Sequence, residues 1–318
     1  MPTDVNTQSA DSAYCSVANL LRERFNARDL KLFAPHPVKS AQAGRFRTRF
    51  RGRGVDFEEV RLYQPGDDIR SIDWRVTART QVPHTKLYSE ERERPVYLLC
   101  DQRSPMFFGS VQHFKSTLAC HLASCIGWAA LGAGDRVGSL VFGDQDFRDS
   151  RPKRSKHAVL QLIRLLEQYN HQLHSPIANS NSLSLAQMLS DTQRIAKPGA
   201  ALFVISDFND LDNAAEKQLF QLSRHLDISL IHTHDPLEQQ LIGNSALAVT
   251  NGTDKQLLPV NQKRFQSEYA LMAADKQQQL RDTCTRLQIE LIPVSTADDY
   301  ATVLRHRFAG PTRHPRRR

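Results

Sequence analysis

Five short apolar runs alternate with segments of helical periodicity between Pro95 and the end of the chain. The runs are "PVYLLCD", "RVGSLVFGD", "ALFVISD", "DISLIHTHD" and "IELIPVST". Strands that are apolar on both faces are typical of a parallel sheet covered by helices on both sides. The intervening segments, such as "SKHAVLQLIRLLEQY", carry apolar side chains at the spacing of a helix. Residues 95–304 are therefore predicted to form an α/β domain with a doubly wound, mostly parallel sheet.

The first third of the chain has a different pattern. Residues 1–43 begin with a polar segment and continue into a short helix that Pro35 and Pro37 end. Residues 44–94 are predicted to form a small β-rich subdomain, called the collar. Five arginines there recur with a period of two, which in a strand places them on one face: Arg45, Arg47, Arg49, Arg51 and Arg53. This arginine stripe is either a solvated strand face or an anion-binding surface.

Net charge, cysteine content and hydropathy indicate what kind of protein the chain is. The formal net charge is +8, but the tail of residues 305–318 holds six arginines and no acid. Without the tail, 36 basic residues face 34 acidic ones, so the folded body is nearly neutral and its charge does not indicate nucleic-acid binding. The five cysteines form no Cys-x-x-Cys pair. With no signal-peptide pattern and no apolar segment of membrane length, we expect a cytoplasmic protein without a membrane span.

Polar residues stand at the carboxyl ends of the predicted strands, which is where parallel sheets bind ligands. Acids stand at or just after the strand ends, as Asp101, Asp144, Asp207 and Asp235. Ligands of such sheets bind at the carboxyl ends of the strands, which makes Asp101 and Asp207 the best candidates for a site. Two carboxylates suit Mg²⁺, although acids in these places also cap the following helix. The histidines of "HTHD" could bind a metal, but strand-end packing is the simpler interpretation.

The most distinctive residue pattern in the chain is found in residues 51–79, "RGRGVDFEEVRLYQPGDDIRSIDWRVTAR". Pro65-Gly66 suits a tight turn, the aspartates after it can cap backbone N–H groups, and Trp74 is predicted to be a packed anchor. The stretch has no nucleophile beside a base and no phosphate-binding loop. It is therefore interpreted as a structural collar with an interaction surface, whose candidate residues are Arg61, Asp67, Asp68, Arg70, Asp73, Trp74 and Arg79. Outside this stretch, Arg103 is a further candidate interaction residue.

This stretch resembles the signature of the bacterial DUF58 family. The matching positions are Gly54, Phe57-Glu58, Arg61-x-Tyr63, Gly66-Asp67-Asp68, Ile72-Asp73-Trp74 and Ala78-Arg79. The segments "VYLLCDQRSPMFFGS" and "LFVISDF" are similar to that family's core. The resemblance implies a von Willebrand factor A-like fold and a non-enzymatic, adaptor-like role in protein–protein interaction. It also implies a MoxR-type AAA+ ATPase as partner, acting in the assembly or maturation of a client protein.

The chain departs from the metal-ion-dependent adhesion pattern Asp-x-Ser-x-Ser of the von Willebrand A fold. When its acid is placed on Asp101, Arg103 and Pro105 stand where hydroxyls belong. The threonine of the pattern falls near Ser182 or Ser184. The remaining candidate metal ligands are Asp101, Ser104, Ser206 and Asp207. Because a guanidinium offers no lone pair to a cation, we predict a degenerate site without tight Mg²⁺ binding. Arg103 is predicted to bridge Asp101 and Asp207.

Two other functions compete with the adaptor. One is a metal-dependent hydrolase that uses Asp101 and Asp207, although the sequence shows no nucleophile and no third firm ligand. The other is an RNA-binding protein that uses the arginine stripe and the tail, although no known RNA-binding motif is present.

Overall fold

The computed structural model divides the chain into two compact units, residues 1–34 with 94–318 and residues 35–93. It describes residues 13–33, 55–64, 67, 69–90, 93–173, 182–243, 245–250 and 255–308. The arginine stripe, Gly66, Asp68 and the tail beyond residue 308 lie outside the described residues. Each unit is described by itself below.

A six-stranded sheet forms the centre of the first unit, with the strand order β10-β7-β6-β3-β4-β5. Five of these strands run parallel, and β5 pairs antiparallel with β4 at the edge. The strands are β3 Pro95–Asp101, β4 Arg136–Phe142, β5 Phe147–Lys153, β6 Ala201–Ser206, β7 Asp227–His234 and β10 Glu290–Ser295. The five parallel strands are those that the apolar runs predict. The edge strand β5 was not predicted, because its sequence "FRDSRPK" has no apolar run and most of its residues are exposed to solvent.

Helices cover both faces of this sheet, as predicted. They are α1 Val17–Asn26, α3 Lys115–Gly132, α4 Lys156–Gln172, α5 Leu185–Ile195, α6 Asn213–Ser223, α7 Pro236–Gln239, α8 Lys263–Leu287 and α9 Tyr300–Phe308. Alternate residues of β3 face opposite cores: Leu98 and Cys100 pack in the core with α3 and α4, while Leu99 packs in the core with α5 and α6. Burial on both faces explains why the sheet strands are continuously apolar. A short hairpin of β8 Leu247–Thr250 and β9 Lys255–Leu258 precedes α8.

The second unit contains a β-hairpin and one short helix. Strands β1 Val55–Leu62 and β2 His84–Glu90 pair antiparallel, with Leu62 opposite His84. Between them lies α2, Trp74–Thr80, whose N-cap Asp73 accepts hydrogen bonds from two backbone N–H groups of the first turn. The sequence pattern did not predict this helix, because seven residues are too few to establish a helical period.

Trp74 corrects one prediction made from the sequence. Its side chain is not a packed anchor, since the residue is 67% exposed. Trp74 is the first residue of α2, and the half-buried positions of this helix are Val76 and Thr77. The tryptophan therefore lies on the outer side of the helix and does not help to hold the hairpin together.

Candidate functional site

The candidate site lies at the carboxyl end of the sheet, where β3 and β6 are neighbours. The chain leaves β3 for β4 on one side and returns to β6 on the other, so the strand order changes direction between β3 and β6. Such a switch point opens a crevice in a parallel sheet. Asp101 ends β3 and Ser206 ends β6, and the Ser206 hydroxyl donates a 2.7 Å hydrogen bond to Asp101 Oδ2. The ends of β3 and β6 therefore lie side by side, as the sequence predicted.

Arg103 folds back onto Asp101 and holds both of its carboxylate oxygens. The backbone N–H and Nε of Arg103 donate to Asp101 Oδ1, each at 3.0 Å, and Nη2 donates to Oδ2 at 2.7 Å. Both residues are buried. With Ser206 as a fourth donor, the lone pairs that a cation would need on Asp101 are already engaged.

The second acid on Arg103 is Asp210. Nη1 and Nη2 donate to the two oxygens of Asp210 at 2.5 and 2.9 Å, and Nη1 also donates to the Leu183 carbonyl at 3.0 Å. All five N–H donors of the guanidinium are therefore used. The prediction that Arg103 bridges Asp101 and Asp207 is right for Asp101 and wrong for Asp207, because the loop after β6 turns Asp210 towards the arginine.

Asp207 is paired with a different cation, Lys115 at the start of α3. Lys115 Nζ lies 2.8 Å from Asp207 Oδ2 and 2.5 Å from Glu238 Oε1. The lysine side chain is only 1% exposed, which is rare for an ammonium group unless acids surround it. The side-chain amide and backbone N–H of Asn209 complete the shell of Asp207. Each of the two predicted acids thus has its own buried counterion.

The pKa shifts follow from burial and from these pairs. Burial raises the pKa of Asp101, and the Arg103 charge opposes that rise. Burial also acts to raise the pKa of Asp207, but Lys115 outweighs it and holds the pKa below its ordinary value. The pKa of Lys115 is raised, because Asp207 and Glu238 more than offset its burial. Both cations therefore remain charged at neutral pH.

The Phe208 backbone separates the two clusters. This residue has a φ of 52°, a left-handed conformation that is uncommon for a bulky side chain. Its N–H donates to the Ser206 hydroxyl at 3.2 Å. The turn sends Asp207 to Lys115 and Asp210 to Arg103, so strain at one residue is associated with the placement of both acids.

Further hydroxyl groups near the crevice bind neighbouring carboxylates or cap a helix. The Ser104 side chain and backbone N–H donate to Asp144, and the Ser184 hydroxyl caps α5 by accepting from the Gln187 N–H. Asp235, at the end of β7, accepts from the hydroxyls of Ser110 and Thr296 at 2.5 and 2.6 Å. None of these hydroxyls is directed at Asp101.

The four predicted metal ligands do not fit Mg²⁺. Ser206 contacts Asp101, but Ser104 bonds to Asp144, Asp207 bonds to Lys115, and Arg103 lies against the Asp101 oxygens. Over the described part of the chain, no group of three or more histidine, cysteine, aspartate or glutamate side chains could hold a metal ion. The charges of Asp101 and Asp207 are instead paired with two cationic side chains of the chain itself, Arg103 and Lys115.

A cavity of about 770 Å³ lies beside the Lys115 cluster, between the ends of β6 and β7 and helices α6 and α8. His232 and His234 line it, and their ring centroids are 5.1 Å apart. Burial, and then the neighbouring His234, lower the pKa of His232 to about 4. Both imidazoles are thus neutral in the folded protein near pH 7, which suits the packing interpretation of "HTHD".

Several candidate interaction residues of the collar make contacts within it. Asp67 accepts from Arg61 at 2.8 Å and from the Gln64 N–H at 2.9 Å, and Asp73 caps α2. These contacts tie Asp67 to Arg61 of β1 and to Gln64, and Asp73 to the start of α2. Exposed positions among the candidates are Arg70, Trp74 and Arg79. Asp68 lies outside the described residues.

Sequence reasoning missed three members of the site, Asp210, Lys115 and Glu238. Asp210 stands three residues after Asp207 in "SDFND", which was a signal for a second acid on the same loop. Lys115 begins the very apolar segment "KSTLACHLASCIGW", where one lysine is normally interpreted as solvent-exposed. Glu238 forms a capping box with Asp235, so its local pattern predicted only a helix start.

The fold and the site together define a class: α/β proteins with a mostly parallel sheet, flanked by helices, whose crevice carries its own buried cations. The family model described as "Protein of unknown function DUF58" matches residues 59–279. The chain belongs to this DUF58 family, as its signature residues predicted. No helix in the described ranges has both the length and the apolar character needed to cross a membrane.

Relatives of the chain carry no assigned activity in their names. Uncharacterized protein Mb1516 of Mycobacterium bovis and uncharacterized protein Rv1480 of Mycobacterium tuberculosis are each 30% identical over 193 residues, which is 60% of this chain and 58% of theirs. The chain thus spans less than two thirds of their length. Uncharacterized protein YeaD of Bacillus subtilis is 29% identical over 92 residues, 28% of this chain and 23% of its own.

One solved structure with similarity to the chain is a conserved hypothetical protein, BatB, from Bacteroides thetaiotaomicron. It is 14% identical with a TM-score of 0.43, and the match covers 67% of this chain and 96% of that one.

Proposed function

We propose that this protein is a non-enzymatic interaction module with a von Willebrand factor A-like fold. In this proposal it acts as an adaptor for a MoxR-type AAA+ ATPase and presents client proteins for assembly or maturation. The observation that carries the proposal is the buried arginine in the adhesion-site position, whose five donors are all used by Asp101, Asp210 and Leu183. A site built in this way preserves the shape of the crevice without needing an ion.

The chemistry of the crevice supports binding better than catalysis. A hydrolase needs an activated nucleophile or a metal-bound water with free coordination positions. Here the oxygens of Asp101 and Asp207 are occupied by Arg103, Ser206, Lys115 and Asn209. Neutral His232 lies on the cavity wall, and its ring is 6.1 Å from that of Phe208, a packing neighbour.

We infer the partner from membership of the DUF58 family and from the residue types that are exposed on the collar. DUF58 membership brings the expectation of a MoxR-type ATPase partner, and a protein without its own phosphate-binding loop needs an external source of energy to remodel a client. The collar supplies exposed tryptophan and arginine side chains, the residue types that contribute most to binding energy in protein interfaces.

The test is binding of the purified full chain to the MoxR-type ATPase encoded nearest to its gene. The chain is immobilised, and the ATPase is applied without nucleotide, with ADP and with a non-hydrolysable ATP analogue. We expect a saturable complex in at least one of these states and no ATP turnover by the chain alone. Absence of a complex in every state would contradict the proposed partner. ATP turnover that a change in the crevice abolishes would contradict the non-enzymatic role.

A further inference from the structure

The outer side of α2 carries two parallel rows of exposed side chains. Trp74 and Ala78 are four residues apart and form one row, and Arg75 and Arg79 form the next. All four residues are exposed. The opposite side of the helix is occupied, because the Thr77 hydroxyl accepts a 3.0 Å hydrogen bond from the His84 N–H. The helix is thus fixed on its inner side and open on its outer side.

Two further exposed apolar residues, Leu62 and Val82, lie near the start of β2, as Trp74 does. The backbone N–H of Asp73 donates to the His84 carbonyl at 2.8 Å, so Trp74 starts next to the beginning of β2. Leu62 is the register partner of His84, and Val82 precedes His84 by two residues. Leu62, Trp74 and Val82 are 56%, 67% and 47% exposed. All three residues are thus close to His84 along the backbone, at the end of the hairpin that contains α2, and are called the apolar patch.

No ion pair with a described residue neutralises the charges beside this patch. Neither Arg75 nor Arg79 has a carboxylate partner among the described residues, whereas Arg61 in the same unit is paired with Asp67. An exposed tryptophan costs hydrophobic free energy, and two adjacent arginines repel each other. A partner that covers the tryptophan and supplies two carboxylates relieves both penalties at once.

We propose that this surface, defined as Leu62, Trp74, Arg75, Arg79 and Val82, docks an acidic amphipathic segment of a partner protein. The segment presents aliphatic side chains to Trp74 and its apolar neighbours, and carboxylates to the two arginines. The inference rests on the proposed adaptor function and adds the location of the docking surface and the chemistry of its partner.

A nucleic acid is a poorer match to the same surface. Single-stranded RNA and DNA bind by stacking successive bases on several aromatic rings along a basic groove. Among the large exposed hydrophobic residues described in this unit, Trp74 is the aromatic one, beside the aliphatic Leu62, Ile69 and Val82. An aliphatic patch suits a protein segment better than it suits a base.

Trp74 provides a direct reporter of docking. The chain contains two tryptophans, and the other, Trp128, is packed against the core of the first unit. In a full-length Trp128→Phe variant, the tryptophan fluorescence comes from Trp74 alone. The probe is a synthetic amphipathic peptide with leucines at helical spacing and glutamates elsewhere. We expect a saturable blue shift of the emission with a dissociation constant in the micromolar range.

Two altered probes separate the parts of the proposal. A peptide with lysines in place of the glutamates should bind at least about tenfold more weakly, a change of 1.4 kcal/mol or more. A peptide with glutamines in place of the leucines should lose the blue shift. An oligouridylate is the competing ligand, and tighter binding of oligouridylate than of the acidic peptide would overturn the proposal.

Variants and a matched control locate the surface. With a fluorescein-labelled probe, Trp74→Ala and the double change Arg75→Glu/Arg79→Glu should each weaken binding at least about tenfold. The control is Arg24→Glu/Phe25→Ala on α1, which removes another exposed aromatic–arginine pair, with the Arg24 guanidinium carbon 4.5 Å from the Phe25 ring centroid. This control should bind as wild type does. Equal binding by all variants, or no binding of the acidic peptide by wild type, would refute the proposal.

The same variants distinguish this inference from the proposed function. If wild type binds the ATPase and the α2 variants bind it equally well, the docking surface is wrong and the adaptor role stands. If the acidic peptide binds through Trp74 while the ATPase does not bind at all, the surface is right and the ATPase partner is wrong. Circular dichroism of each variant, expected to equal wild type because the altered side chains are exposed, controls for folding.

Discussion

Arginine has opposite surroundings in the two units of this protein. In the crevice, Arg103 is buried, and five acceptor contacts from Asp101, Asp210 and Leu183 use every donor of its side chain. On α2, Arg75 and Arg79 are exposed and face solvent beside Trp74. The buried arginine organises the crevice, while the exposed pair is accessible to another molecule.

This difference indicates that the buried arginine contributes to stability and the exposed arginines to recognition. Removing a buried ion partner leaves a desolvated charge and costs several kcal/mol, whereas removing an exposed side chain changes stability little. We therefore expect substitutions in the crevice to affect folding and substitutions on α2 to affect binding. The predictions below test this division, beginning with the largest expected effect on stability.

Arg103→Met should cause the largest loss, about 3–5 kcal/mol of unfolding free energy, because it leaves Asp101 buried without its counterion. Urea denaturation at pH 7 measures this loss. The control is the double variant Asp101→Asn/Arg103→Met, which removes the stranded charge and should recover part of the loss. If the single and double variants are equally stable, Asp101 and Arg103 do not form the pair described here.

Lys115→Met should cost about 3 kcal/mol, somewhat less than Arg103→Met. Asp207 would be left buried, but Glu238 is 30% exposed at its side chain and can regain water. The control is Lys276→Met on α8, an exposed lysine, which should change stability by about 0.5 kcal/mol or less. Equal effects at the two lysines would show that Lys115 is not a buried counterion.

The lowered pKa of His232 predicts that the protein becomes less stable as the pH decreases. Its pKa is about 4 in the folded protein, against an ordinary value of 6.5, so only the unfolded chain takes up this proton between those values. Stability therefore falls as the pH decreases from 6.5 towards 4, by at most about 3 kcal/mol from this residue. The pKa of His234 is also lowered, first by burial, and adds a further decrease of the same sign.

Denaturation of the His232→Gln variant from pH 7 to pH 4.5 checks this prediction. The variant should lose less stability than wild type over that interval. His157→Gln, an exposed histidine on α4, serves as the control and should follow the wild-type curve. A His232→Gln curve parallel to wild type would contradict the lowered pKa.

Trp74→Ala should have the smallest effect on stability, about 0.5 kcal/mol or less, because the side chain is exposed. The same substitution at Trp128, which packs against the core, should cost about 3 kcal/mol. Calorimetric melts compare the two. A large loss at Trp74 would restore the interpretation of this residue as a packed anchor and remove the basis of the docking surface.

The sequence predicted the sheet well because each parallel strand is apolar on both faces. A continuous apolar run of this length has few structural interpretations other than a buried strand. Once the strands are assigned to a parallel sheet, its topology places the acid or hydroxyl at the end of each strand on the same edge. The meeting of Asp101 and Ser206 was predictable for this reason. The strand β5 was not, since an edge strand needs apolar side chains on one face at most and "FRDSRPK" has few.

The pairing of cations with acids could not be predicted from the sequence. Whether Asp207 or Asp210 reaches Arg103 depends on the left-handed turn at Phe208, and no glycine or asparagine marks that position. The counterion of Asp207 is 92 residues away at Lys115, so no local spacing reveals it. Burial of Trp74 was predicted wrongly because residue type alone does not decide which side of a short helix faces solvent.

The central claim is that Arg103 takes the place of a metal ion in the crevice, and calorimetric titration of the metal-free chain with Mg²⁺ tests it most directly. We expect no saturable heat from wild type. Arg103→Ser, which frees the Asp101 oxygens and adds a hydroxyl, should be less stable than wild type without Mg²⁺ and should regain stability as Mg²⁺ is added. Micromolar Mg²⁺ binding by wild type that Asp101→Ala abolishes would contradict the claim.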